Sequence, residues 1–221
     1  MPRVGILAVQ GGVREHEELL IGLGAEVTRI RAASDLAGPD GPRADALVLP
    51  GGESSTIDRL LRIFELADPR RAVIAAGLPT LGTCAGLILL ARRILDPAPG
   101  QQSLGVLDVD VRRNAFGAQV DSAEVDLDTE LGRTHVAFIR APEVVRVGEG
   151  VEVLARWAGA VVAVRQGPIM GLAFHPELTG ETAFHRALLS AAACDAAELD
   201  PGASRARRAP RAGSADLTIS R

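Results

Sequence analysis

The sequence predicts an α/β domain, a three-layer sandwich in which a mainly parallel mixed sheet lies between helices. Two observations carry this. In the N-terminal half, short apolar runs alternate with segments whose apolar residues recur at helical spacing, and the runs stop at glycine-rich turns, Gln10-Gly11-Gly12 and Pro50-Gly51-Gly52. In the second half, strand-like runs crowd together with connections too short for crossover helices, so some strands must join the sheet antiparallel. A chain of 221 residues, 47% of them hydrophobic, supplies enough core for one such domain and rules out global disorder.

The elements follow in order. Val4–Val9 is a first strand, and its direct passage into a glycine turn distinguishes it from a signal peptide. Val13–Leu23 has helical periodicity with Gly24 just past its end, and Ala25–Arg31 alternates as a strand. Ala44–Leu49 is a buried strand, Ser55–Leu66 a helix, Pro79–Thr83 a strand and Ala85–Arg93 a helix. Strand candidates then run over Leu104–Val111, Gln119–Leu127, Val136–Ile139, Val151–Trp157, Val161–Gln166 and Ile169–Phe174. Thr182–Ala193 closes the domain as a helix. From residue 194 the composition shifts to Ala, Arg, Pro, Ser and Asp without periodicity, which divides the chain into a domain over 1–193 and a disordered tail over 194–221.

A formal net charge of -4 gives no electrostatic reason to expect nucleic acid or an anionic membrane as partner. No stretch approaches the roughly 18 apolar residues of a membrane helix. With two cysteines, Cys84 and Cys194, the composition argues against an extracellular disulfide framework and for a reducing cytoplasm.

Leu81-Gly82-Thr83-Cys84-Ala85-Gly86 sits between a strand and a helix, where flanking glycines permit the sharp turn that exposes a central nucleophile. The helix that follows would favour thiolate, and the next backbone N–H points where an oxyanion would form. An isolated cysteine is more often inert; the paired glycines favour the reactive reading. Cys194, among alanines, reads as a small hydrophobe. A thiolate needs a base, and His175 follows the strand Ile169–Phe174 onto the rim where parallel-sheet enzymes keep their chemistry. Pro176 holds the backbone so that Glu177 can turn back to orient the imidazole. His16 and His185 fall on helices and read as surface residues, at most partner contacts.

The G-T-C-A-G elbow followed far downstream by His175-Pro176-Glu177 resembles the class I (triad-type, flavodoxin-like) glutamine amidotransferases. Gly5–Gly11, Leu49–Thr56, Gly82–Leu90, Arg113-Asn114-Ala115-Phe116-Gly117 with Gln119-Val120-Asp121-Ser122, and Phe174–Thr179 resemble, more narrowly, the family of glutaminase subunits of pyridoxal 5'-phosphate synthases. Gly12 and Ser55 depart from the usual family pattern, and neither touches the proposed triad. The resemblance implies a Cys84-His175-Glu177 triad with no cofactor or metal. It also implies an oxyanion hole from the Gly52 and Ala85 N–H groups, a glutamine pocket lined by Gly52, Glu53 and Ser54, and Arg113 with Ile139-Arg140 at the substrate's amino-acid end. Gln10 would lie beside the oxyanion hole and the partner interface. The implied partner is a (β/α)8-barrel synthase subunit that receives the ammonia. For individual residues other readings stay open: Glu53 as a helix-start residue, Arg113 as a solvated charge, Gln10 as a turn residue. A glutaminase serving a histidine or purine synthase, and a non-catalytic binding module, also stay open.

Overall fold

In a computed structural model that describes residues 1–38, 41–115 and 122–199, the chain forms one large mixed sheet with helices on both faces. The elements are β1 (Arg3–Leu7), α1 (Val13–Gly22), β2 (Glu26–Ile30), α2 (Ala33–Leu36), the two-residue strands β3 (Ala37–Gly38) and β4 (Gly41–Pro42), β5 (Ala46–Leu49), α3 (Ser54–Ile63), α4 (Ala67–Ala75), β6 (Thr80–Thr83), α5 (Ala85–Leu90) and β7 (Ala91–Ile94). Then follow β8 (Leu107–Arg112), β9 (Ser122–Thr129), β10 (Gly132–Ile139), β11 (Glu143–Val147), β12 (Glu152–Trp157), β13 (Ala160–Gln166), β14 (Ile169–Leu172) and α6 (Ala183–Leu199).

The parallel core runs β2-β1-β5-β6-β14. Every residue of β5, β6 and β14 is buried, as expected of strands covered on both faces. Beyond β14 the sheet continues antiparallel through β13, β12, β9 and β10, with β11, β8 and β7 branching from β13. From β1 the chain crosses over α1 to β2 on one side, and from β5 it crosses over α3 and α4 to β6 on the other. Right-handed crossovers in opposite directions place those helices on opposite faces and open a crevice between the ends of β1 and β5.

Several boundaries differ from expectation, each for a tertiary reason. No element was expected between Leu66 and Pro79, yet α4 forms there; Pro69 falls in its first turn, where the missing N–H has no partner to lose. The helix expected over Ala85–Arg93 stops at Leu90, since Ala91–Ile94 pairs parallel with β8. Strand β11 has weak local alternation and is held by β8 and β13. Helix α6 runs past Ala193 to Leu199, so the first residues assigned to the tail are helical; the remainder, 200–221, lies outside the described residues, as do Phe116–Asp121.

Close packing of α5 against β5 depends on Gly86. A Cβ there would meet the Leu49 carbonyl oxygen at 2.1 Å, a backbone atom in a fully buried strand that has nowhere to move. Gly82 is similarly pressed, with a Cβ meeting the Gly86 carbonyl carbon at 2.7 Å. We expect Gly86→Ala to destabilise the fold by about 1–3 kcal/mol or more, read as a lowered urea midpoint with an unchanged m-value.

Candidate active site

Cys84 and His175, distant in sequence, come together because β6 and β14 are parallel neighbours in register: Thr83 pairs with Leu172, and the Cys84 N–H donates to the Leu172 carbonyl at 2.7 Å. Both chains therefore leave the sheet at the same rim. Cys84 takes φ 48° and ψ -101°, a left-handed conformation costly for a side-chain-bearing residue and typical of functional turns. His175 is clamped on the other side, its N–H donating to the Ala137 carbonyl at 2.8 Å. Phe174 beneath it packs edge-on between Phe138 and Phe184, with ring centroids 5.5 and 5.4 Å away, and each such pair contributes about 0.5–1.5 kcal/mol.

The side chains of Cys84 and His175 interact directly, and the thiol also lies 3.9 Å from the Ile139 carbonyl oxygen. His175 Nδ1 meets Glu177 Oε1 at 2.6 Å. Burial alone would push the His175 pKa down, but the contacts to Cys84 and Glu177 outweigh it and carry the pKa up to about 10. Glu177 is buried, which would raise its pKa, yet the neighbouring imidazoles His16 and His175 hold it below the ordinary carboxylate range. Burial keeps His16 itself in its neutral form, so the positive charge that faces Glu177 is that of His175. The arrangement sets a cysteine beside an imidazole that is in turn bonded to a buried carboxylate.

The crevice between β1 and β5 supplies the opposite wall. The Gly12 N–H donates to the Gly51 carbonyl at 3.0 Å, the Glu53 N–H to Gln10 Oε1 at 3.0 Å, and the Gly51 N–H to Thr83 Oγ1 at 3.1 Å. Gly51 must be glycine, since a Cβ would lie 2.2 Å from His175 Cε1; at Gly52 it would lie 2.5 Å from Gln10 Oε1. Glu53 caps α3, accepting from the Ser55 N–H at 3.2 Å and its hydroxyl at 2.8 Å, and pairs with Arg113 Nη2 at 3.2 Å. Partial burial would raise the Glu53 pKa, but the Ser55 bonds, with Arg113 and Arg140, keep it below normal. A cleft of about 340 Å³ is lined by Gln10, Gly52, Glu53, Ser54, Cys84, Arg113, Ile139, Arg140, His175 and Glu177. Ala85, directly after the thiol, begins α5 and is buried behind it.

Three histidine and cysteine expectations need correction. His16 and His185 are fully buried, not surface residues, because each lies on the inward stripe of its helix: His16 one turn before Leu20, His185 beside Phe184 and Leu188. That apolar spacing was the signal available in the sequence. Cys194 is exposed on α6, which continues past it. Gln101 was not singled out at all. Its Oε1 accepts from Arg113 Nη1 at 2.8 Å and its Nε2 donates to Ser54 Oγ at 3.0 Å, joining two candidate binding residues from a loop with no motif.

Against this geometry, the model of the SNO glutamine amidotransferase family matches residues 6–192. The chain belongs to the SNO glutamine amidotransferase family. Among its relatives, the pyridoxal 5'-phosphate synthase subunit PdxT of Frankia alni is 57% identical over 188 residues, covering 84% of this chain and 92% of that protein. The PdxT protein of Acidothermus cellulolyticus is 51% identical over 203 residues, covering 88% and 96%. A crystal structure of a glutamine amidotransferase superposes with a TM-score of 0.79 at 47% identity, covering 86% of this chain and 98% of that one. A glutamine amidotransferase from Thermotoga maritima, with a TM-score of 0.54, 17% identity and coverage of 94% and 90%, shares the fold.

Because folding raises the His175 pKa from 6.5 to about 10, its contribution to the stability of this family member is full below about pH 6.5 and declines as pH rises toward about 10. In Glu177→Gln the carboxylate that favours the imidazolium is gone. We expect a lower His175 pKa by NMR titration and an earlier alkaline loss of stability.

Proposed function

We propose that this chain is the glutaminase subunit of a pyridoxal 5'-phosphate synthase, hydrolysing L-glutamine to L-glutamate and ammonia and passing the ammonia to its synthase subunit. Family membership and identities of 51–57% to PdxT proteins across most of both chains support the assignment. The observation that carries the chemistry is one cleft holding a strained cysteine, an imidazole paired with a buried carboxylate, and an Arg113–Glu53 ion pair.

In this mechanism the Cys84 thiolate attacks the side-chain amide carbon of glutamine, forming the C–S bond as the carbonyl π electrons move onto oxygen. The Gly52 and Ala85 N–H groups receive that oxyanion. As it collapses, the C–N bond breaks, and the proton on the His175 imidazolium goes to the departing nitrogen, releasing ammonia and leaving a γ-glutamyl thioester. Neutral His175 then takes a proton from water, whose oxygen attacks the thioester; collapse expels the Cys84 thiolate and yields glutamate. Glu177 fixes the imidazole tautomer and stabilises the imidazolium throughout. Arg113, with Arg140 and the Ile139 backbone, holds the substrate carboxylate, and Glu53 takes its ammonium group. Binding therefore replaces the Arg113–Glu53 ion pair with two pairings to the zwitterion, and Ser54 lines the same pocket.

Ammonia set free in water would be protonated, so direct delivery to the partner follows from the chemistry. In this reading the partner is a (β/α)8-barrel protein that combines ammonia with ribose 5-phosphate and glyceraldehyde 3-phosphate, Gln10 lies toward the docking face, and the complex works in a reducing cytoplasm. No helix among the described residues is long and apolar enough to cross a membrane.

Ammonia release from glutamine, assayed with and without the purified synthase partner, tests the assignment. Activity should appear or rise when the partner is added and vanish in Cys84→Ala; continued release by that variant overturns the mechanism. Arg113→Ala should raise the glutamine KM by about tenfold or more, the cost of a lost charge-assisted hydrogen bond, with a much smaller change in kcat. An unchanged KM removes Arg113 from the pocket.

A further inference from the structure

Behind the triad lies a buried chain of polar groups that the mechanism above does not use. His16 on α1 is fully buried between two functional parts of the site. Its Nε2 lies 3.1 Å from Thr83 Oγ1 and 3.5 Å from Glu177 Oε1. Its Nδ1 lies 2.9 Å from His185 Nε2 on α6, with the two rings tilted at 45°. Thr83 Oγ1 in turn accepts the Gly51 N–H, and Gly51 precedes the residue proposed to stabilise the oxyanion.

We propose that His16 is a positioning residue for the glutaminase reaction, holding the triad carboxylate and the Pro50–Gly52 loop in register through its single Nε2 atom. The inference rests on the function proposed above. Two observations favour a positioning task over mere packing. A buried imidazole pair is an expensive way to fill space between α1 and α6, where aliphatic side chains would serve without desolvation cost. And Nε2 contacts the triad carboxylate and the acceptor of Gly51 at once, so one ring sets both the base and the loop against Cys84.

The charge state fits that task. The charged and titratable groups bearing on His16 are Glu177 and Glu15, which favour protonation, and His175, which opposes it; His185 stands against its Nδ1. Burial dominates and keeps His16 neutral, and the same burial, with His16 beside it, drives the His185 pKa down to about 3. A neutral His16 leaves the Glu177 charge to His175. With the ionised Oε1 nearby, the proton belongs on Nε2, and Nδ1 accepts from His185 Nε2–H.

Paired amide replacements separate positioning from packing. In His16→Gln the terminal amide reaches the place of Nε2 and keeps Thr83 and Glu177; in His16→Asn it reaches only the place of Nδ1 and keeps His185. Assayed in the complex with the synthase partner, His16→Gln should retain kcat within about threefold, whereas His16→Asn should lose about ten- to a hundredfold in kcat, the usual effect of slight misplacement of reacting groups. KM should stay within about twofold in both, at matched Tm. Equal kcat in the two variants, or losses that track Tm alone, overturns the proposal. Should His16→Asn not fold, Thr83→Val against Thr83→Ser gives the same decision: the hydroxyl-free variant must lose kcat and the serine variant must recover it. Wild-type complex is the control. A silent wild type defeats the glutaminase reading itself, while an active wild type with an equally active His16→Asn defeats only the role of His16.

Discussion

The parallel pairing of β6 with β14 is the constraint on which the rest of the site depends. Two strands that run the same way and lie side by side must end on the same rim, and their register, Thr83 against Leu172, sets Cys84 and the His175 segment side by side. The hydrogen bond from the Cys84 N–H to the Leu172 carbonyl ties the two together at the point where both leave the sheet. A slip of one residue would turn Thr83 away from His16 and swing the thiol off the cleft, because side chains alternate faces along a strand. Full burial of both strands makes such a slip costly.

The glycines near the site follow from this crowding. Four backbone segments converge there, after β1, β5, β6 and β14, and helix α5 starts directly from the elbow. Gly11 has φ 108° and lies against the Gly51 carbonyl, Gly51 lies under the His175 ring, and Gly86 lies on the Leu49 carbonyl. These positions have room for a hydrogen but not for a methyl group. Backbone thus approaches backbone closely enough for the Gly12 N–H to reach the Gly51 carbonyl and for the Gly51 N–H to reach Thr83 Oγ1 beneath the cleft.

Electrostatically the site is layered. At the mouth, Arg113 and Glu53 face each other with the charge pattern of an amino-acid zwitterion reversed, steadied by Gln101 and Ser55. In the middle, the raised His175 pKa reflects its contacts with Cys84 and Glu177, the latter at 2.6 Å. Behind it, His16 and His185 are neutral because no water reaches them.

The alternation of apolar runs with helical segments was enough to read the α/β class from the sequence, because strand and helix periodicities are local properties and each buried face must find a partner. The elbow, the Pro50-Gly51-Gly52 turn and the His175-Pro176-Glu177 segment were legible because glycine and proline mark turns and close approaches in the sequence itself, although the contacts that demand Gly51 and Gly86 are tertiary. What local pattern could not supply was decided by packing. Helix α5 gives way to β7 because β8 offers a ladder; Gln101 joins Arg113 to Ser54 from a featureless loop; and His16 and His185 meet only because α1 and α6 share a face of the sheet. A polar residue on a helix looks solvent-facing until the tertiary structure supplies a buried partner for its hydrogen bonds, and that partner lies far away in the chain.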